Sequence, residues 1–217
     1  LDGDQLKMLE LITSGMELDR AGKTREAGAI YRRWIGEATT RDGADGLITS
    51  LGYRLLAGNL EDQNQPKEAE GYWKRLLDIN RTVLGESDDE TLAAYGFLSS
   101  NYMKQGRPAE ALPLRRANLA ARTAAKGERD PKTIVATSNL ASVMAEIGDM
   151  KGAEALYRKA LETSLAVHVE QHRETASGYA NLAVVLRGLA RYDEAEPLLE
   201  KARVSDESLP GTTGADL

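Results

Sequence analysis

Apolar residues recur along this chain at helical spacing, in blocks broken by short polar turns. In one block Ile134, Leu140, Met144 and Ile147 form a stripe, and Leu156, Ala160 and Leu161 form a second. Steps of three and four residues place such side chains on one face of an α-helix. Between the two stripes lies GDMKG, a polar turn. The pattern predicts a helix A, a turn, a helix B and a loop. No segment reads convincingly as a strand.

This block is repeated. Residues 139–161, NLASVMAEIGDMKGAEALYRKAL, return 42 residues later as NLAVVLRGLARYDEAEPLLEKAR. The alanine after the turn, preceded by Glu or Gly, falls at Ala27, Ala69, Ala111, Ala153 and Ala195, again 42 residues apart. Twelve residues before it stand Gly15, Ala57, Ser99, Ala141 and Ala183, all small. Helices that cross at small residues approach closely, so these two columns predict the crossing points. One hairpin cannot bury both faces, whereas a stack of hairpins makes a continuous core. The turns are GKTRE, NQPKE, GRPAE, GDMKG and ARYDE. Pro66 and Pro108 fall at the predicted start of helix B, where a missing N–H costs little. Asp130-Pro131 reads as a cap followed by a first helical residue.

We therefore expect an all-α fold, one domain over residues 1–210. Its units are 5–46, 47–88, 89–130, 131–172 and 173–214, with a flexible tail at 211–217. The column Ile35, Leu77, Leu119 and Leu161 should face the following unit, and its last member is Arg203. That polar end suits a capping helix, and few exposed apolar residues are expected there.

The order of residues in each unit is an aromatic, a Leu, a small residue, a turn glycine, Glu-Ala and a second aromatic. It resembles the tetratricopeptide repeat. Tyr53, Tyr95 and Tyr179 hold the first aromatic position, with Leu11 and Thr137 in the other units. The 42-residue period, the NLA of helix A and the loop KGERDPKT resemble the longer repeat of kinesin light chains and their bacterial relatives. The resemblance spans residues 5–210 and is strongest in the fourth and fifth units. Asn64 and Ala190 depart from it by replacing the turn glycine.

The resemblance implies a right-handed α-solenoid of five antiparallel helix-turn-helix repeats. It also implies a protein–protein interaction scaffold that binds a peptide or protein segment in a concave groove lined by helices A, without catalysis or cofactor. Carried over column by column, the groove would be lined by Arg54, Phe97, Ser100, Met103, Lys104, Asn139, Ser142, Asn181, Val184 and Arg187. Asn139 and Asn181 stand out, because an amide both donates and accepts and so can grip a peptide backbone. Asn also disfavours helix interiors, so propensity does not explain these two. The alternative is that they cap or buttress neighbouring helices. Arg54, Lys104 and Arg187 offer charge to acidic groups, and Phe97 and Met103 an apolar pocket. A second reading makes the chain the sensor or autoinhibitory part of a larger protein.

Composition narrows the partners. The formal net charge is −6, which argues against nucleic acid and anionic membranes as partners. Aromatic residues are 5%, so the core must come from Leu, Ala, Val and Ile. There is no cysteine, which excludes disulfide and thiolate chemistry. No run of about 18 apolar residues exists to span a membrane. The start, LDGDQLKMLELITSGM, lacks the basic and apolar regions of a signal peptide and an initiator Met. A processed piece, cytoplasmic and monomeric, is expected.

Chemistry is sparse. His168 and His172 in HVEQH would share a helix face, half of a zinc site, but Val169 stands where the metalloprotease motif needs Glu. A solvated loop is the expected reading; a metal-dependent enzyme using this pair is the disfavoured alternative. The acidic loops GESDDE and GERDPK lack the layout of a calcium loop and read as turns with helix caps. Arg115, Arg116, Arg122 and Lys126 are expected on a solvated outer face of helix B. No metal and no catalytic residue is assigned.

Overall fold

The computed structural model describes residues 3–167 and 173–207, in which there are ten α-helices and no strand. Two compact units divide them. The first, residues 1–107, contains α1 (Gly3–Arg20), α2 (Thr24–Asp42), α3 (Leu47–Asp62), α4 (Pro66–Val83) and α5 (Asp89–Lys104). The second, residues 108–217, contains α6 (Pro108–Lys126), α7 (Pro131–Glu146), α8 (Met150–Val167), α9 (Arg173–Gly188) and α10 (Tyr192–Glu207). Within each unit every helix packs on its chain neighbours, and α7 also touches α9. The helices B begin at 24, 66, 108, 150 and 192, a strict 42-residue step.

The small-residue columns sit where the helices meet. Ala27, Ala69, Ala111, Ala153 and Ala195 are all fully buried. A Cβ placed on Gly15 would lie 2.7 Å from Cε1 of Tyr31, so the backbone there is held close by the absence of a side chain. Asp130 caps α7, accepting from the Thr133 N–H at 2.9 Å, and Asp88 caps α5, accepting from the Glu90 N–H at 2.9 Å.

Each hairpin turn closes alike. The N–H of Lys23, Gln65, Arg107, Asp149 and Arg191 donates to the carbonyl five residues back, at 2.8–2.9 Å. This is the Schellman bond, and it requires a left-handed residue just before the donor. Gly22, Gly106 and Gly148 supply it, but so do Asn64 (φ 58°) and Ala190 (φ 59°). Asn tolerates that conformation, whereas alanine pays for its Cβ. Ala190→Gly is therefore expected to stabilise the chain by about 0.5–1 kcal/mol, the greater freedom of unfolded glycine offsetting part of the gain. Urea unfolding measures this, and a loss of stability would show that Ala190 carries no strain.

Three expectations change. Arg122 is buried, not solvated, and its Nε donates to Oδ1 of Asn118 at 3.1 Å. It shares a column with Ala38, Asn80 and Ser164, all of which face inward from helix B. Arg115 is also mostly buried, and burial pushes its guanidinium down. Arg116 and Lys126 are exposed as expected. The last helix is less polar than its sequence position suggested, since α10 exposes Tyr192, Leu199 and Val204. Ile147, expected in an apolar stripe, is exposed as the C-cap of α7. His168 and His172, and the tail at 211–217, lie outside the described residues.

Candidate interaction surface

The helices A of the first unit carry a polar relay. Nδ2 of Asn59 donates to Oδ1 of Asp19 at 2.6 Å and to the Thr24 carbonyl at 2.9 Å, while Gln63 Nε2 donates to Asn59 Oδ1 at 2.8 Å. One repeat later Asn101 Nδ2 donates to Oε1 of Glu61 at 2.7 Å and to the Pro66 carbonyl at 2.9 Å, and Gln105 Nε2 to Asn101 Oδ1 at 2.7 Å. The acids are gripped from helix B as well, by the Tyr31 hydroxyl on Asp19 (2.7 Å) and the Trp73 indole N–H on Glu61 (2.9 Å). Burial and the bond to Asp19 both push the Tyr31 phenol up. These amides do buttress helices, as the alternative reading supposed, but they are Asn59 and Asn101, which sequence reasoning missed. The signal was present as an acid and an Asn 40 residues apart, twice, each with Gln four residues on.

In the same unit the expected groove residues are largely engaged internally. Lys104 Nζ lies 2.6 Å from Oε2 of Glu61, and Arg54 lies 3.4 Å from Glu90. Phe97 is exposed and stacks on Trp73, with ring centroids 4.8 Å apart. Ser100 and Met103 are half-buried. Two of the three expected cations are therefore neutralised by carboxylates of their own unit, Arg54 in an exposed pair of modest strength and Lys104 on a carboxylate that is 9% exposed.

The second unit differs. Asn139 on α7 and Asn181 on α9 hold the same register of two helices that touch. Both are half-buried, and neither side chain has a hydrogen-bond partner among the described residues. One turn further on, Ser142 is half-buried and hydrogen-bonded with Tyr157; burial pushes that phenol up and Ser142 pulls the other way. On α9 the next turn carries Val184, 63% exposed, and then Arg187, exposed and without an ion pair among the described residues. Where the first unit buries Asn59 and Asn101, the equivalent columns here hold Val143 and Val185, buried and apolar. Asn139 and Asn181 are thus not drawn into that relay.

Among the described residues no cluster of three or more His, Asp or Glu is placed to hold a metal ion, and no helix is long and apolar enough to cross a membrane.

Sequence models of the tetratricopeptide repeat match residues 90–165 and 133–207, together more than half of the chain, and another such model matches 53–90. No curated protein matches in sequence. Among solved structures, the nearly identical TPR-like repeats of a kinesin light chain candidate from Podosopora anserina superpose with a TM-score of 0.81 at 17% identity, over 92% of this chain and 94% of that one. BtubC (BKLC) from P. vanneervenii gives 0.80 at 18% identity, over 94% and 82%. The apo form of RapI gives 0.81 at 17% identity, over 97% of this chain and 56% of that one. At such identities the likeness is one of fold.

Proposed function

We propose, because this chain belongs to the tetratricopeptide repeat family, that it is an interaction module holding an extended segment of a partner polypeptide along α7 and α9. The observation that carries this is the pair Asn139 and Asn181, two half-buried amides in one register with no hydrogen bond among the described residues. An amide offers two donors and an acceptor, so each can pair with one peptide unit whatever its side chain. Val184 supplies apolar contact beside them, and Arg187 a cation for an acidic side chain or a terminal carboxylate. The first unit, taken by itself, would offer a separate apolar patch of Phe97 and Met103 with Ser100 beside them. Lys104 and Arg54 would have to exchange Glu61 and Glu90 for any new acid.

The test uses peptides selected on the full chain from a random displayed library. Asn139→Ala/Asn181→Ala is expected to weaken them about 5- to 150-fold, two lost hydrogen bonds being worth about 1–3 kcal/mol. Folding stability should be unchanged, since neither amide has a hydrogen bond among the described residues. Peptides retained equally by both proteins would defeat the groove reading.

A further inference from the structure

The inward face of α4 carries Leu76 and Asn80, and Leu84 caps the helix four residues further on. Asn80 is 3% exposed, yet its side-chain amide has no hydrogen-bond partner among the described residues. Its backbone carbonyl is satisfied, accepting from the N–H groups of Leu84 (2.8 Å) and Gly85 (3.2 Å). Elsewhere the fold supplies polar members of this column with partners. Ser164 meets Oγ1 of Thr175 at 3.0 Å, and Arg122 meets Asn118. The counterpart of Thr175 beside Asn80 is Thr91, whose buried hydroxyl also lacks a partner. The Asn80 amide is not sealed from solvent but opens on a cleft, where both its donor and its acceptor are free for a ligand group.

Asn80 lines an open cleft of about 220 Å³ bordered by α3, α4 and α5, all within the first unit. Leu47 and Leu51 of α3, Leu76 of α4 and its C-cap Leu84 form its apolar walls. Leu47 and Leu84 are exposed. Arg54 and Glu90 also line it, in an exposed ion pair that links α3 to α5 at 3.4 Å. The volume falls below the roughly 300–1,000 Å³ of drug-sized sites, which suits a single side chain.

We infer that this cleft receives a tyrosine side chain of a partner polypeptide. The leucine walls take the ring, and a phenol can donate to Oδ1 of Asn80 while accepting from Nδ2, meeting both halves of the amide. Phenylalanine and leucine would fill the walls and leave the amide unmet. Arg54 at the cleft adds a cation near the ring, an attraction that aromatic faces favour. The inference rests on the reading of the chain as a polypeptide-binding module, but it concerns the first unit, whereas Asn139 and Asn181 lie in the second.

Titration of the full chain with N-acetyl-tyrosinamide, followed by NMR, tests it. The Asn80 side-chain amide and the Leu76 and Leu84 methyls should shift, with a dissociation constant about tenfold below that of N-acetyl-phenylalaninamide. Asn80→Leu should reverse that preference, and Arg54→Ala should weaken the tyrosine compound without reversing it. If Asn80→Leu does not fold, the preference of the unaltered chain still decides. Equal or tighter binding of the phenylalanine compound overturns the inference. So does an absence of shifts at the cleft, which would leave Asn80 to water or to Thr91. Asn139→Ala/Asn181→Ala should leave the preference intact, so failure of the groove reading and failure of this one are told apart.

Discussion

Asn101→Val alone is expected to cost about 3 kcal/mol or more of folding stability, and adding Glu61→Met to recover at least half of it. Asn101 is fully buried and sits between three groups: the Glu61 carboxylate, the Pro66 carbonyl and the Gln105 amide. Valine fits the space but removes a donor from a carboxylate that is only 9% exposed. A buried charge short of partners is the costly outcome; removing both partners is much cheaper. The chain itself shows both solutions. Asp19 with Asn59 and Glu61 with Asn101 are polar pairs, whereas Ala145 with Val185 is an apolar one at the same two positions. Gln63 and Gln105 follow the same division, being replaced by Ile147 and Leu189. Recovery stays incomplete because Trp73 loses its acceptor on Glu61. Urea unfolding of the four proteins closes a double-mutant cycle, and strictly additive losses would refute the coupling.

Acid should unfold the chain partly through Glu70. Burial alone would raise this carboxyl, but hydrogen bonds from Lys74, Arg107 and Gln105 outweigh it and bring it down to about 2. Lys74 lies at 2.6 Å, Arg107 at 2.5 Å and Gln105 at 3.1 Å. A carboxyl depressed in the fold adds stability above its unfolded value of 4.5, and loses that contribution as pH falls toward 2. Solvent on the open side screens the pair, which leaves about 2 kcal/mol at neutral pH. Glu154 repeats the arrangement two repeats on. Its carboxyl is subject to the same burial, and Arg158 and Arg191 pull it down. Glu70→Gln should lower stability at pH 7 by about 2 kcal/mol and remove that share of the loss between pH 4.5 and 2.5. A stability difference between the two proteins that stays constant with pH would contradict the assignment.

Much of this architecture could be read from the chain. The 42-residue step, the two helices per repeat, the crossing alanines and the Asp88 and Asp130 caps depend on residues a few positions apart. Gly15 shows the limit of such reading: its column is visibly small, but only Tyr31, packed at its Cα, shows why. Of the candidate groove, the columns were legible and the state of each residue was not. Lys104 and Asn139 look equally available in sequence. One is held by Glu61, 43 residues away, and the other has no partner within the described protein. Asn59, Asn80, Asn101, Asn139 and Asn181 are chemically the same side chain. Two are buried and bonded, one lines a cleft without a partner among the described residues, and two are half-buried on α7 and α9.

By itself, the sequence determined that hairpins form and repeat, because helix periodicity and turn chemistry are local and survive without knowledge of neighbours. Only the tertiary structure decided which polar groups those hairpins consume in stacking and which they leave over. The bonds in question join residues about 40 positions apart, and whether a donor meets its acceptor there depends on how one hairpin seats against the next.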